Sequence, residues 1–325
     1  MILGSSDGMP GMPGMSGPGG SGGLHLGART PIDLHSVLTA WMVGPFAIGV
    51  AVACAAAAAW YLVSVRRLQR KGRRWPLPRT LSFLAGLLAV EVALGSSVAT
   101  LSGESFGLHV VQHLLLMIIA PPLGAMGAPM TLLLQTSRRS VKRVALGALH
   151  SPPFRVLSHG ASVFFLYYLS MYAFFLTPAI GWAMQHMWGM DLINLAFLGG
   201  ATLFWWPMVS PDPDPRGRTN PGFKVINLLV GVPVESFLGI ALLSERAPVA
   251  PVYTLAGTHF GGGLFWGASE IATLIALGPI FVEWSRSDAR AARRFDARLD
   301  AGEELTAPVP DGVGMAATLR SLRRG

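Results

Sequence analysis

Charged residues are scarce in this sequence of 325 residues: Asp, Glu, Lys and Arg make up only 13% of it, and hydrophobic residues make up 51%. Soluble domains carry about 25% charged residues, so this chain has too little polar surface to fold in water. Cysteine is scarcer still, because Cys54 stands alone. A disulfide framework and a metal site built on cysteines are thereby excluded. These shortages favour a protein that lies within a lipid bilayer.

Long apolar runs are what the sequence has instead. A membrane-spanning helix needs about 20 apolar residues. Seven stretches qualify, at approximately 38–65, 80–101, 107–134, 156–180, 188–209, 223–243 and 262–284. The third contains Pro121 and Pro122, which remove backbone donors and predict a kink or break. The sequence therefore predicts an all-α, polytopic membrane helix bundle of about seven transmembrane helices.

Basic residues alternate along the chain. All of the 25 Lys and Arg residues except Arg29 and Arg246 follow the first, third, fifth or seventh predicted span. Because basic residues stay on the cytoplasmic side, this pattern predicts the N-terminus outside and the C-terminus inside the cell. The net charge of +8 thus reflects topology in the lipid bilayer. With no recognition fold in the sequence, we expect no nucleic acid as a partner.

Two segments lie outside the predicted spans. Residues 1–34 are rich in Gly, Pro and Met and predict a disordered extracytoplasmic tail. Residues 35–285 form the predicted seven-helix domain, and residues 286–325 form a basic cytoplasmic tail with a short helix over 288–299. The methionines of the first tail are regularly spaced, and thioethers bind Cu(I), although a low-complexity linker explains them better.

Several acidic residues fall within the predicted spans, where one charge costs about 2.5–3.5 kcal/mol. They are Glu91, Asp191, Glu235 and Glu270. Since most of the polar residues fall in the outer half of the membrane, we expect one shared site that opens to the outside. Intramembrane carboxylates also mark ion paths, which leaves open a membrane transporter of protons, metal ions or a small solute.

Histidines provide the candidate metal ligands. His109 and His113 are four residues apart and therefore point from one helix face, which Met117 continues one turn deeper. Imidazole and thioether ligands suit Cu(I). His186 and His259 are further candidates near the outer surface. Alternatively, each histidine hydrogen-bonds to a neighbouring helix. A haem-binding cytochrome needs histidines from facing helices, which this spacing does not provide.

Three stretches carry a resemblance to a known family. HVVQHLLLMIIAPPL at 109–123, with GAP at 127–129, resembles the CtaG family of polytopic cytochrome c oxidase assembly factors. Two further stretches agree: FWWP at 204–207 followed by DP at 212–213, and GGGLFW at 261–266 with a glutamate at 270. The resemblance covers roughly residues 35 to 285.

The resemblance implies a function. It is that of a multi-pass assembly factor in the cell (plasma) membrane, which helps to mature a haem–copper cytochrome c oxidase by handling copper on the outer face. Oxidase subunits or a copper chaperone are the implied partners, and no enzymatic role is expected. Relatives often carry histidines where this chain has Asn194 and Ala196, and an Asp-Gln pair where it has Gly257 and Thr258. His109 and His113 are therefore the best-matched candidate ligands.

Overall fold

A computed structural model describes residues 35, 39–186, 188–212 and 221–300. The methionines of the first tail and most of the second tail lie outside these residues. All regular secondary structure in the described part is helical. In chain order, the helices are α1 (Pro45–Arg70), α2 (Leu77–Gly95), α3 (Ser97–Leu101), α4 (Phe106–Leu114), a π-helical segment (Leu115–Ile119), α5 (Ala120–Met126), α6 (Pro129–Thr136), α7 (Arg139–Leu149), α8 (Pro152–Leu157), α9 (Gly160–Phe175), α10 (Ala179–Gln185), α11 (Gly189–Val209), α12 (Pro221–Ser244) and α13 (Leu255–Asp300).

The helices confirm a multi-pass membrane bundle. Within the described residues, six helical stretches are long and apolar enough to cross a membrane. They are Pro45–Arg70, Leu77–Leu101, Phe106–Thr136, Gly189–Val209, Gly222–Ser244 and Leu255–Ala297. A seventh span exists if α9 and α10, which meet at a bend of 75°, cross the membrane together. The predicted all-helical fold is therefore confirmed, with six or seven spans.

The third span is distorted just before its two prolines and is interrupted after them, at Gly127 and Ala128. Leu115–Ile119 adopts π-helical geometry just before the prolines, and Ala128 takes a left-handed conformation with a φ of 51° before α6. Pro121 has no N–H to donate to the Met117 carbonyl one turn earlier. The indole Nε1 of Trp205 on α11 donates to that carbonyl instead, at 2.8 Å. A neighbouring helix thus satisfies the backbone group that the proline leaves free.

The helix that follows this break, α6, is held by Asp212. The Asp212 carboxylate accepts hydrogen bonds from the backbone N–H groups of Met130 at 3.0 Å and Thr131 at 2.7 Å. A carboxylate at a helix N-terminus satisfies free N–H groups and is stabilised by the helix dipole. The aspartate of the DP stretch therefore binds the first turn of α6, which begins at the proline of the GAP stretch.

Helices α12 and α13 pack along a line of glycines. A Cβ atom at Gly239 would lie 2.6 Å from the Cβ of Trp266, and one at Gly262 would lie 2.8 Å from the Cβ of Leu242. Only glycine permits so close an approach of two helices. We call this contact the α12–α13 seam.

Helix α13 is unusually long. It runs without interruption over 46 residues through the triple glycine. At 1.5 Å per residue its length is about 69 Å, more than twice the hydrocarbon thickness of about 30 Å. The short helix predicted over 288–299 is therefore the C-terminal part of α13 and not a separate helix.

The two ends of the bundle differ in charge. Apart from Arg246, the described Lys and Arg residues lie at or near one end of the bundle, which Lys224 approaches from α12. We call this the basic end. The opposite end holds the loop 245–254 and the first turns of α4 and α13. We call it the histidine end, because His109 and His113 approach it.

Candidate functional site

The first turns of α4 place two histidines inside the bundle. The Ser105 hydroxyl caps the helix by accepting a hydrogen bond from the Leu108 N–H at 3.4 Å. His109 and His113 follow on one helix face and are only 1% and 2% exposed. Their Nε2 atoms are 2.9 Å apart. The two imidazoles therefore hydrogen-bond directly to each other.

Tyr253, in the loop 245–254, fixes the proton on the first ring. Its hydroxyl donates to the Ser102 carbonyl at 2.8 Å and lies 3.0 Å from Nδ1 of His109. Burial raises the pKa of the Tyr253 hydroxyl, so this group stays neutral. Because a phenol has one proton to donate, Nδ1 of His109 carries a proton of its own and donates it to the Tyr253 oxygen.

The proton on His109 also determines the protonation of the His113 ring. A neutral imidazole protonated at Nδ1 has a bare Nε2, so His109 accepts at Nε2 from the Nε2–H of His113. Nδ1 of His113 is then unprotonated, and it is buried with no hydrogen-bond partner within the described part of the chain. The hydrogen-bond chain from Ser102 through Tyr253 and His109 therefore ends in a bare nitrogen.

Aromatic rings enclose this nitrogen. The His113 ring lies edge-on to Phe174, Phe175 and Phe197, with centroid distances of 5.3, 5.6 and 4.9 Å. A cavity of about 260 Å³ adjoins this group and is lined by Phe174, Phe197 and Met117 among others. Electrostatic interactions are stronger in such a low-dielectric environment than in water. The bare nitrogen thus lies among aromatic rings, next to a cavity that a thioether side chain lines.

The other two candidate histidines have different surroundings. Nδ1 of His186 lies 2.7 Å from the Trp182 carbonyl, and the His186 ring packs against Trp182 and Trp188. Nε2 of His259 lies 2.9 Å from the Glu245 carbonyl. Neither side chain forms a cluster with the buried pair.

Among the described residues, no three His, Cys, Asp or Glu side chains come together in a group that could hold a metal ion. Of the predicted ligands, the structure brings together His109 and His113, and it places Met117 on the wall of the adjoining cavity. A metal at this end of the bundle would depend on those three side chains.

The distance within the histidine pair decides how a metal would bind. Two nitrogens that hold one metal at about 2.0–2.1 Å lie about 3.3 Å apart in tetrahedral geometry. The observed 2.9 Å between the Nε2 atoms is shorter and is typical of an N–H···N bond. Joint ligation by both Nε2 atoms therefore requires the rings to separate. Nδ1 of His113, in contrast, is available without breaking the hydrogen-bond chain.

The acidic residues do not form one shared outward site, and that expectation is wrong. Glu91 lies near Cys54 on α1, and Asp191 is in the first turn of α11. Glu235 and Glu270 instead lie together at the α12–α13 seam. The polar groups separate because they occupy faces of different helices, which a position along a span does not reveal.

Two positions that depart from the family pattern border the histidine pair. Asn194 is buried, its Oδ1 has no hydrogen-bond partner within the described residues, and it precedes Phe197 by one turn of α11. Ala196 lines the cavity that Met117 also lines. A third such position, Thr258, accepts a hydrogen bond from the Val249 N–H at 3.3 Å. These residues are therefore close to the site or support the loop that carries Tyr253.

The sequence model of a family described as the cytochrome c oxidase caa3 assembly factor (Caa3_CtaG) matches residues 59–287. This chain belongs to that family. The matched residues contain the histidine pair, the Trp205 contact and the α12–α13 seam.

Relatives of this chain occur in mycobacteria. Uncharacterized proteins of Mycobacterium bovis and Mycobacterium tuberculosis are each 29% identical to it over 302 residues, which cover 85% of this chain and 44% of theirs. An uncharacterized protein of Mycobacterium leprae is 28% identical over 259 residues, 74% of this chain and 39% of its own. The chain therefore spans less than half the length of these relatives. No solved structure matches it.

Proposed function

We propose that this assembly factor holds Cu(I) at the histidine end of the bundle and passes it to a cytochrome c oxidase that is being assembled. Membership of the family supports the role in oxidase assembly. The observation that carries the copper assignment is the bare, buried Nδ1 of His113. Cu(I) favours soft ligands and accepts imidazole, and Met117 lines the adjoining cavity.

The charge pattern supports an orientation for this function. Basic residues of membrane proteins stay on the cytoplasmic side. The basic end would then face the cytoplasm of the cell membrane, and the histidine end would face outward. An oxidase subunit would receive copper on that outer face, and a copper chaperone would supply it. Copper would move by ligand exchange alone, so the role is not catalytic.

The buried position of His113 limits how copper reaches it. Phe174 and Phe175 are the last residues of α9, immediately before the 75° bend that leads to α10. These rings contact both His109 and His113. Copper would therefore enter and leave when this corner moves away from α4.

Copper binding by the purified full chain tests this proposal. In competition with a Cu(I) chelator, the wild type is expected to retain a single copper ion per chain, and H109A/H113A none. The matched control is H186A/H259A, which removes two histidines of the same end that lie outside the pair and should retain the copper. In cells, H109A/H113A should lower the copper content of the oxidase. Normal oxidase copper with that variant would contradict the proposal.

A further inference from the structure

A second buried polar region lies at the α12–α13 seam. Glu235 is 5% exposed, and its Oε2 has no hydrogen-bond partner among the described residues. Glu270, on the facing helix, accepts hydrogen bonds from the Ser236 hydroxyl at 2.8 Å and from the indole N–H of Trp266. Two donors stabilise the charged form of a carboxylate. Glu270 therefore accepts two hydrogen bonds from its neighbours, whereas one oxygen of Glu235 is buried without any.

No cation faces Glu235 in the described part of the chain. The groups that face it from α9 and α13 are Tyr167, Tyr168, Ser269, Thr273 and Glu270. Lys224 is on the same helix but eleven residues away, about 16 Å along the axis. Its ammonium group is paired with Glu283 at 3.1 Å. A negative charge on Glu235 would therefore have only neutral groups and a second carboxyl beside it.

Such a charge is strongly disfavoured in the interior of a membrane protein. The Ser269 and Thr273 hydroxyls interact with the Glu235 carboxyl group but leave its Oε2 without a partner in the described structure. A buried carboxylate with no cation beside it and one oxygen without a donor takes up a proton rather than remain charged. Two carboxyl groups that share one site also do not both ionise readily. The groups around the seam thus favour a state in which the two carboxyl groups hold one proton between them. Glu270 is the better stabilised of the two as an anion.

We propose that the α12–α13 seam is a proton-binding site, in which Glu235 holds an exchangeable proton and Glu270 is its ionised neighbour. None of its groups belongs to the hydrogen-bond chain that ends at His113, so this site is independent of the copper proposal. The Ser236 hydroxyl lies 2.8 Å from both the Val232 carbonyl and Glu270. Because it has one proton, it can turn from one acceptor to the other as the charge of Glu270 changes.

Dicyclohexylcarbodiimide tests whether Glu235 is protonated, because this apolar reagent adds to protonated carboxyl groups that lie out of water. The full chain is treated in detergent at neutral pH, and the modified peptides are mapped by mass spectrometry. We expect the adduct on Glu235 and little on Glu270. An adduct on Glu270 with none on Glu235 would overturn the assignment, as would no adduct on either. Protection by sodium or potassium ions, at constant ionic strength, would indicate a metal-cation site and would also overturn it.

Infrared spectroscopy provides a second measurement that does not depend on reagent access. The difference between wild type and E235Q should contain the C=O band of a protonated carboxyl group, and this band should shift in D2O. A band that is absent or unchanged in D2O would show that no exchangeable proton is held there. The matched control is E91Q, which removes a buried carboxyl on α2 and should leave the Glu235 band in place. If E235Q does not fold, the labelling map of the wild type still decides.

Discussion

The histidine pair and the α12–α13 seam are both buried polar regions, and each contains one atom without a hydrogen-bond partner in the described structure. At the histidine pair, a hydrogen-bond chain assigns every proton, and the atom left over is the bare Nδ1 of His113. At the seam, the atom left over is Oε2 of Glu235, and no chain supplies a proton to it.

This difference shows that an unpartnered buried atom has a different chemical consequence in each region. A bare imidazole nitrogen is neutral and carries a lone pair, which can bind a soft metal ion at little electrostatic cost. A bare carboxylate oxygen is part of a charge, which the interior of the bundle does not stabilise unless a proton neutralises it. Variants that alter one region and spare the other test whether this contrast is real.

The largest expected effect comes from replacing the two histidines one at a time. H113A should abolish Cu(I) binding, because it removes the bare nitrogen. H109A should weaken binding by about 10- to 100-fold, because it only removes the group that orients the ligand. Chelator competition measures both. Equal losses in the two variants would show that both rings ligate the metal, and carbodiimide labelling of Glu235 should persist in each.

The α12–α13 seam can be opened without touching a polar group. G239A places a Cβ against Trp266 and should destabilise the protein by up to about 3 kcal/mol through overpacking. The variant should also disturb the Trp266–Glu270 contact while leaving Cu(I) binding unchanged. Thermal unfolding in detergent measures the loss. G267A, on the facing helix α13 with open space around the new Cβ, is the control and should show no loss of stability.

Trp205 connects the broken third span to α11 and lies below the histidine pair. W205F leaves the Met117 carbonyl without its donor in a buried place, which should cost about 1–2 kcal/mol of stability. W182F, which alters an exposed tryptophan of the histidine end, should cost much less. An equal loss in both variants, measured by thermal unfolding, would mean that the hydrogen bond contributes nothing beyond ring packing.

The smallest expected effect comes from removing one hydroxyl. Y253F takes away the acceptor for the Nδ1–H of His109 and should weaken Cu(I) binding by about tenfold, as the loss of an outer ligand contact does. Y172F is the control, because its hydroxyl donates to the Val234 carbonyl on α12 and takes no part in the hydrogen-bond chain that ends at His113. If Y253F binds copper as tightly as the wild type, the proton assignment along the chain is wrong.

The spans and the histidine contact could be predicted from the sequence because both depend on local spacing. Runs of about 20 apolar residues identify spans, and an interval of four residues places His109 and His113 on one face. The prolines likewise predicted the break in the third span. These features need no knowledge of which helix packs against which.

The remaining contacts connect residues far apart in the chain, and local spacing does not reveal them. Tyr253 is 144 residues from His109, and Trp205 is 88 residues from Met117. Glu270 and Ser236 meet across two helices, although both lie in apolar runs that have no polar periodicity. The packing of the helices against one another determines these pairs, and that packing is a property of the folded bundle.

Because α13 is so long, a small tilt at the seam displaces its far end by a larger distance. From Glu270 at the α12–α13 seam, the helix continues for 30 further residues to Asp300, about 45 Å along its axis. A tilt of one degree at the seam would displace that far end by about 0.8 Å, less whatever bending Pro279 absorbs. A small change of packing around two carboxyl groups would therefore be amplified outside the membrane, at the end of the bundle farthest from the histidines.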